Sequence, residues 1–78
     1  MHEATTMDPQ IFRALAIRRA LILYARTGIK ANRAYTPANM MAAATQITGK
    51  RFAPRAYDAA ADALEAWIIE RNSPDANA

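Results

Sequence analysis

Apolar residues recur in three separate stretches of the chain, with the spacing of three to four residues that an amphipathic α-helix requires. In the second stretch, the residues on one side of the helix are Met40, Ala43, Ala44 and Ile47. In the third stretch they are Tyr57, Ala60, Ala61, Leu64, Trp67 and Ile68. The sequence lacks the alternation of apolar and polar residues that is typical of strands. The pattern therefore predicts an all-α fold, a compact three-helix bundle.

Proline and glycine mark where the first two helices begin and end. The first is predicted to run from Pro9 to about Thr27, with Asp8 as its N-cap and Gly28 as its left-handed C-cap. The second is predicted to begin at Thr36-Pro37 and to end at Gly49. A third helix is predicted from near Pro54 to Asn72.

These boundaries divide the chain into three parts. Residues 1–7 are predicted to be a flexible N-terminus, residues 8–72 a single three-helix domain, and residues 73–78 a disordered tail. A domain of this size has a small core, which association with a second copy would extend. We therefore expect self-association into a dimer.

The first helix is apolar over more than half of its circumference. The residues that cover this arc are Phe12, Ala16, Ile17, Ala20, Leu21, Leu23, Tyr24 and Ala25. The remaining sector alternates Ile11, Leu15 and Ile22 with arginines, so the helix either lies between the other two or is covered by a second chain. If a second chain covers the helix, the dimer interface consists of Ile11, Leu15, Ile22 and Ile69.

Charge is strongly segregated along the chain, whose net charge is +3. Residues 9–57 contain nine basic and no acidic residues, whereas residues 58–78 contain five acidic residues and one arginine. Arginine suits bidentate contact with phosphate. The sequence thus predicts a small, non-catalytic regulatory protein that binds nucleic acid, with Tyr35 or Phe52 stacking on a base. The candidate contacts are Arg18, Arg19, Arg26, Lys30, Arg33, Lys50, Arg51 and Arg55.

A second interpretation starts from the acidic stripe of the third helix, formed by Asp58, Asp62 and Glu65. These carboxylates could pair with arginines of the first helix, or they could mimic a nucleic acid. The protein would then be an inhibitor or adaptor that occupies a site on a larger protein. It would use this stripe or the apolar strip of helix one, like small inhibitors encoded by phages and other mobile elements. Both interpretations remain open at the level of sequence.

Several functional classes are excluded or disfavoured by the residues present. With no cysteine and one histidine, we expect neither a disulfide nor a metal site. The single serine, Ser73, has no histidine to activate it, and no glycine-rich phosphate loop occurs. No apolar stretch is long enough to cross a bilayer. We expect a soluble, cytoplasmic protein that is not an enzyme and has no cofactor, membrane or small-molecule partner.

The second and third predicted helices have a distant similarity to a helix-turn-helix. Their connection, from Gly49 to Pro54, is longer than the tight turn of that motif. The acidic stripe also occupies the face with which a recognition helix would approach phosphate. The first helix and the two basic connections are therefore the better candidates for a nucleic-acid surface.

Overall fold

The computed structural model describes residues 8–72, which form three α-helices and, within this range, no strand. The helices are α1 (Pro9–Thr27), α2 (Pro37–Thr48) and α3 (Tyr57–Asn72). The prediction of an all-α, three-helix fold is confirmed. The predicted flexible N-terminus and disordered tail lie outside the described residues.

The predicted ends of α1 and α2 are confirmed by their caps. The Asp8 carboxylate accepts a hydrogen bond from the Gln10 amide at 2.9 Å, and the Thr36 hydroxyl accepts one from the Asn39 amide at 3.1 Å. A proline follows each of these N-caps, where its missing N–H costs nothing. Both helices end at a glycine with φ near +75°, a left-handed conformation that glycine adopts without a steric penalty.

The start of α3 differs from the prediction. The helix begins at Tyr57 rather than near Pro54, because Pro54 and Arg55 occupy the two central positions of a β-turn. The Ala56 amide closes this turn on the Ala53 carbonyl at 3.1 Å. Arg55 has φ of 67°, which no residue inside a right-handed helix can have. Pro54 therefore lies inside a turn and not in the first turn of α3.

The helices α1 and α3 run antiparallel and form the most extensive helix pair. The end of α1 meets the start of α3 where the rings of Tyr24 and Tyr57 pack edge to face, with centroids 5.3 Å apart. Further along both helices, Arg18 lies 3.6 Å from Glu65. The helix α2 packs against both and completes the core, which consists of Ala14, Ile17, Ala20, Leu21, Met40, Ala43, Ala44, Ala60, Ala61 and Leu64.

Six of these ten core residues are alanine. Small side chains let helices approach closely but bury little apolar area each, so each large core residue matters more to stability. The predicted core sides of α2 and α3 are confirmed. Trp67 is partly buried against the core, and the Arg71 guanidinium lies over its ring at 4.8 Å from the centroid.

The wide apolar arc of α1 is only partly covered by the rest of the chain. Phe12 is 66% exposed, and Leu23 and Ala25 are exposed as well, whereas Ile11, assigned to the outer sector, is only 7% exposed. The covered arc of α1 is centred between Ala14 and Leu21, and Phe12 lies about 100° from Ile11 around the helix. The arc that α2 and α3 cover is thus rotated from the predicted one.

This rotation changes the predicted dimer interface. Ile11 is buried within the chain and unavailable to a partner. Leu15 and Ile22 are half-buried, and Ile22 packs against the core. Ile69 is 61% exposed on the outer side of α3. These four residues therefore do not form one exposed apolar surface.

Candidate functional site

Each basic connection begins at a helix end built from the same two residues, threonine and glycine. The Thr27 hydroxyl donates to the Leu23 carbonyl at 2.7 Å and accepts from the Ile29 amide at 3.0 Å. Thr48 makes the equivalent two bonds at the end of α2, at 2.8 and 3.2 Å. In both places the chain then leaves the helix through a left-handed glycine. Local hydrogen bonds thus fix the direction in which each connection starts.

The connection from residue 28 to residue 36 is held by further side chains. The Asn32 carboxamide oxygen accepts from the amides of Ala34 and Tyr35, at 2.8 and 3.1 Å. The Asn39 carboxamide, at the start of α2, donates to the Ala34 carbonyl at 2.9 Å. These bonds give the α1–α2 connection a defined shape, with Lys30 and Arg33 exposed on it.

The connection from residue 49 to residue 56 runs back along α2. At its beginning, Lys50 lines a depression with Trp67 and Glu70, beside the second half of α3. At its other end, Arg55 lines a depression with Pro37, at the start of α2. The helices α2 and α3 therefore point in the same direction, and this connection spans the length of α2.

The predicted nucleic-acid contacts fall into two groups. Arg26 and Arg55 are each two residues from the contact between Tyr24 and Tyr57, where α1 ends and α3 begins. The α1–α2 connection, which leaves from this end, carries two more basic residues. We call the exposed set Arg26, Lys30, Arg33 and Arg55 the basic surface.

The other predicted contacts lie elsewhere. Lys50 and the neighbouring Arg51 are exposed near the end of α2, where Glu70 shares the depression that Lys50 lines. Arg18 is directed towards α3 and pairs with Glu65, as the second interpretation of the sequence expected of some helix-one arginines. Arg19 is exposed on the opposite flank of α1.

The acidic stripe is exposed along α3, with Asp58 in its first turn and Asp62 one turn later. Glu65 follows, and its pair with Arg18 joins two partly exposed side chains at 3.6 Å, a pairing that contributes little free energy. Tyr35 and Phe52, the predicted stacking residues, are both half-buried and pack against the core. Neither ring stands free for a base.

The sequence analysis predicted an apolar partner surface on the first helix, but of its residues on that helix only Leu15 lines the groove that the structure shows there. A groove of about 660 Å³ runs along the outer side of α1, between that helix and the α1–α2 connection. We call it the α1 groove; its lining includes Phe12, Leu15, Ala16, Arg19, Leu23 and Tyr35. The signal for it is the apolar arc of α1, which is wider than two neighbouring helices can cover.

Within residues 8–72, no helix is long and apolar enough to cross a bilayer, and no three histidine or acidic side chains are grouped as metal ligands. Comparisons with protein-family models, curated proteins and solved structures find no match to this chain. Function is therefore inferred from the charges, contacts and exposure of the described residues.

Proposed function

We propose that the protein is a non-catalytic nucleic-acid-binding protein whose basic surface contacts backbone phosphates. The observation that carries the proposal is the separation of charge. Of the nine basic residues between positions 9 and 57, eight have exposed side chains, and no acidic residue occurs in that range. A surface of this kind attracts a polyanion over a distance of about one Debye length.

The residue types and their positions support phosphate as the group that is bound. Three of the four residues of the basic surface are arginine, whose planar guanidinium can donate two hydrogen bonds to one phosphate. Arg55 also lies beside the start of α2, where the helix dipole adds positive potential. One carboxylate, Asp58, lies in the first turn of α3 and partly offsets this potential.

The conformation of Arg55 supports a role for its side chain. A positive φ at the second central position of a turn that has proline at the first is typical of a type II turn, in which glycine is preferred. Placing a non-glycine residue there costs about 1 kcal/mol or more. A strained residue that carries a charge at an exposed turn suggests that the charge is used.

The proposed binding is directed at the backbone rather than at base edges. The exposed face of α3 carries Asp58, Asp62 and Glu65, which would repel phosphate if this helix entered a groove. Affinity should therefore depend little on sequence and strongly on salt. With four phosphates contacted, the slope of log K against log salt should be about −3.6 on duplex DNA.

The experiment is fluorescence anisotropy of labelled duplex DNA, single-stranded DNA and RNA, titrated with the protein at several salt concentrations. We expect binding at low salt that weakens along this slope. Arg55→Gly is the decisive variant, because glycine relieves the left-handed strain and so keeps or raises the melting temperature while the charge is lost. It should lower the magnitude of the slope by about 0.9.

Lys50→Gln is the matched control, since Lys50 is an exposed basic residue outside the basic surface and beside Glu70. It should change the slope less than Arg55→Gly does. Absence of binding at low salt would refute the proposal, and so would equal slopes for Arg55→Gly and the unaltered protein.

A further inference from the structure

The α1 groove exposes large apolar side chains that nothing else in residues 8–72 covers. Phe12 is 66% exposed and Leu23 is 36% exposed, and both lie on the outer side of α1 with Leu15 and Ala16 between them. From Phe12 to Leu23 the helix rises about 16 Å, or three turns. A strip of this length matches one face of a short helix laid along it.

The second wall of the α1 groove is already fixed in place. Tyr35 lines the groove and is half-buried against the core. Its backbone amide and that of Ala34 donate to the Asn32 carboxamide oxygen. A wall held by such bonds loses little conformational freedom when a ligand binds, and this favours affinity.

The charges along the α1 groove are positive except at its Phe12 end, where Asp8, the N-cap of α1, lies one turn before Phe12 on the same side of the helix. Arg19 lies in the lining between Leu15 and Leu23, and Arg26 is exposed two turns further along the same side of the helix. Neither α1 nor the connection that forms the second wall contains an acidic residue. A ligand that places carboxylates beside its apolar residues would complement this surface, whereas a basic ligand would be repelled.

A second copy of the chain fits the groove less well. A two-fold pairing of α1 with α1 centred on Arg19 would place two guanidinium groups opposite each other. It would also bring together two helices whose charged residues are all arginine. The acidic stripe of a second copy offers carboxylates, but Ile69 is its only large exposed apolar residue among the described part of α3. This single side chain would fill little of an apolar groove that is three helical turns long.

We propose that the α1 groove binds an acidic amphipathic helix of another protein. The apolar face of that helix packs against Phe12, Leu15 and Leu23, and its flanking carboxylates pair with Arg19. The α1 groove and the basic surface share no lining residue but adjoin each other at Arg26 and at residues 30–33, so the two binding activities are tested with separate ligands and separate variants.

The test uses two labelled synthetic peptides of about 14 residues, or four helical turns. Both have leucine and alanine at positions i, i+3, i+4, i+7 and so on; one has glutamate at the flanking positions and the other has lysine. We expect the glutamate peptide to bind in a fluorescence anisotropy titration and to gain helical circular dichroism, and the lysine peptide to bind at least about tenfold more weakly.

Variants of exposed residues connect this binding to the groove without unfolding the protein. Phe12→Ser should weaken binding of the glutamate peptide by at least about fivefold, because it removes the largest exposed apolar side chain of the groove. Arg19→Glu should weaken it further and should improve binding of the lysine peptide. Ile69→Ser, which changes a similarly exposed residue on the far helix, is the matched control and should have no effect.

Three kinds of result would overturn the proposal. The first is equal binding of the two peptides, or binding that Phe12→Ser leaves unchanged. The second is a stable dimer by analytical ultracentrifugation that Phe12→Ser dissociates, which would make a second copy the occupant. The third is loss of nucleic-acid binding in Phe12→Ser without any binding of the glutamate peptide.

Discussion

The two sides of α1 have similar apolar content but different surroundings. The inner side, which includes Ile11, Ile17 and Leu21, is almost completely buried. The outer side, with Phe12 and Leu23, is exposed and lines the α1 groove. The difference separates two uses of the same helix: the inner side stabilises the fold, and the outer side is available to a partner. Substitutions on the two sides should therefore be detected by different measurements.

The largest expected effect compares Leu21 with Leu23. Leu21 is completely buried, and Leu21→Ala should destabilise the protein by about 3 kcal/mol, because it removes apolar contacts and leaves a cavity. In a domain of this size, that corresponds to a fall in melting temperature of roughly 12 °C or more. Leu23→Ala should cost about half as much, because Leu23 is 36% exposed and has less apolar contact to lose. Thermal and urea denaturation followed by circular dichroism measure both.

In peptide binding, the larger effect is expected for Leu23 and not for Leu21. Leu23→Ala should weaken binding of the glutamate peptide, whereas Leu21→Ala should leave it unchanged at a temperature where the variant is folded. Equal losses of stability in the two variants would show that the outer side is covered in solution, and the contrast between the two sides would fail.

A smaller effect is expected for two adjacent residues, Ile11 and Phe12. Ile11→Ala should cost about 2 kcal/mol, since Ile11 is 7% exposed but lies in the first turn of α1, where neighbouring structure can relax. Phe12→Ala should cost less than about 0.5 kcal/mol, the range of surface substitutions. Urea denaturation measures both values, and the residue with the larger loss of stability is the one that faces the core. A larger cost for Phe12→Ala would restore the orientation expected from sequence.

The sequence predicts the helices better than it predicts their orientation. The ends of α1 and α2 follow from local rules, because Asp8-Pro9, Thr36-Pro37 and the two glycines each act within one turn of the chain. The orientation of α1 does not, because apolar residues surround more than half of this helix. Only the positions of α2 and α3, which are set by contacts distant in sequence, decide that Ile11 is buried and Phe12 is not.

The candidate surfaces, too, can be predicted only in part from the sequence. The segregation of charge is visible in the sequence, and so is the basic character of both connections. The separation of Lys50 from Arg55 is not, because it depends on the path of residues 49–56 along α2. The start of α3 was misplaced because Pro54 is equally suited to the first turn of a helix and to the first central position of a β-turn.

The smallest expected effect compares Arg18 with Arg19, which belong to the inner and outer flanks of α1. Arg18→Met should change stability by less than about 1 kcal/mol, because the exposed pair with Glu65 contributes little. Methionine also removes a buried Nε that has no hydrogen-bond partner among the described residues, and this gain offsets part of the stability lost with the ion pair. Arg19→Met should leave stability within about 0.5 kcal/mol and weaken binding of the glutamate peptide. A double-mutant cycle with Glu65→Gln should give a coupling of about 0.5 kcal/mol for Arg18 that declines with salt, and none for Arg19. Coupling of Glu65 to Arg19 instead would mean that the outer flank of α1 faces α3, and Arg19 would then be unavailable to a ligand in the groove.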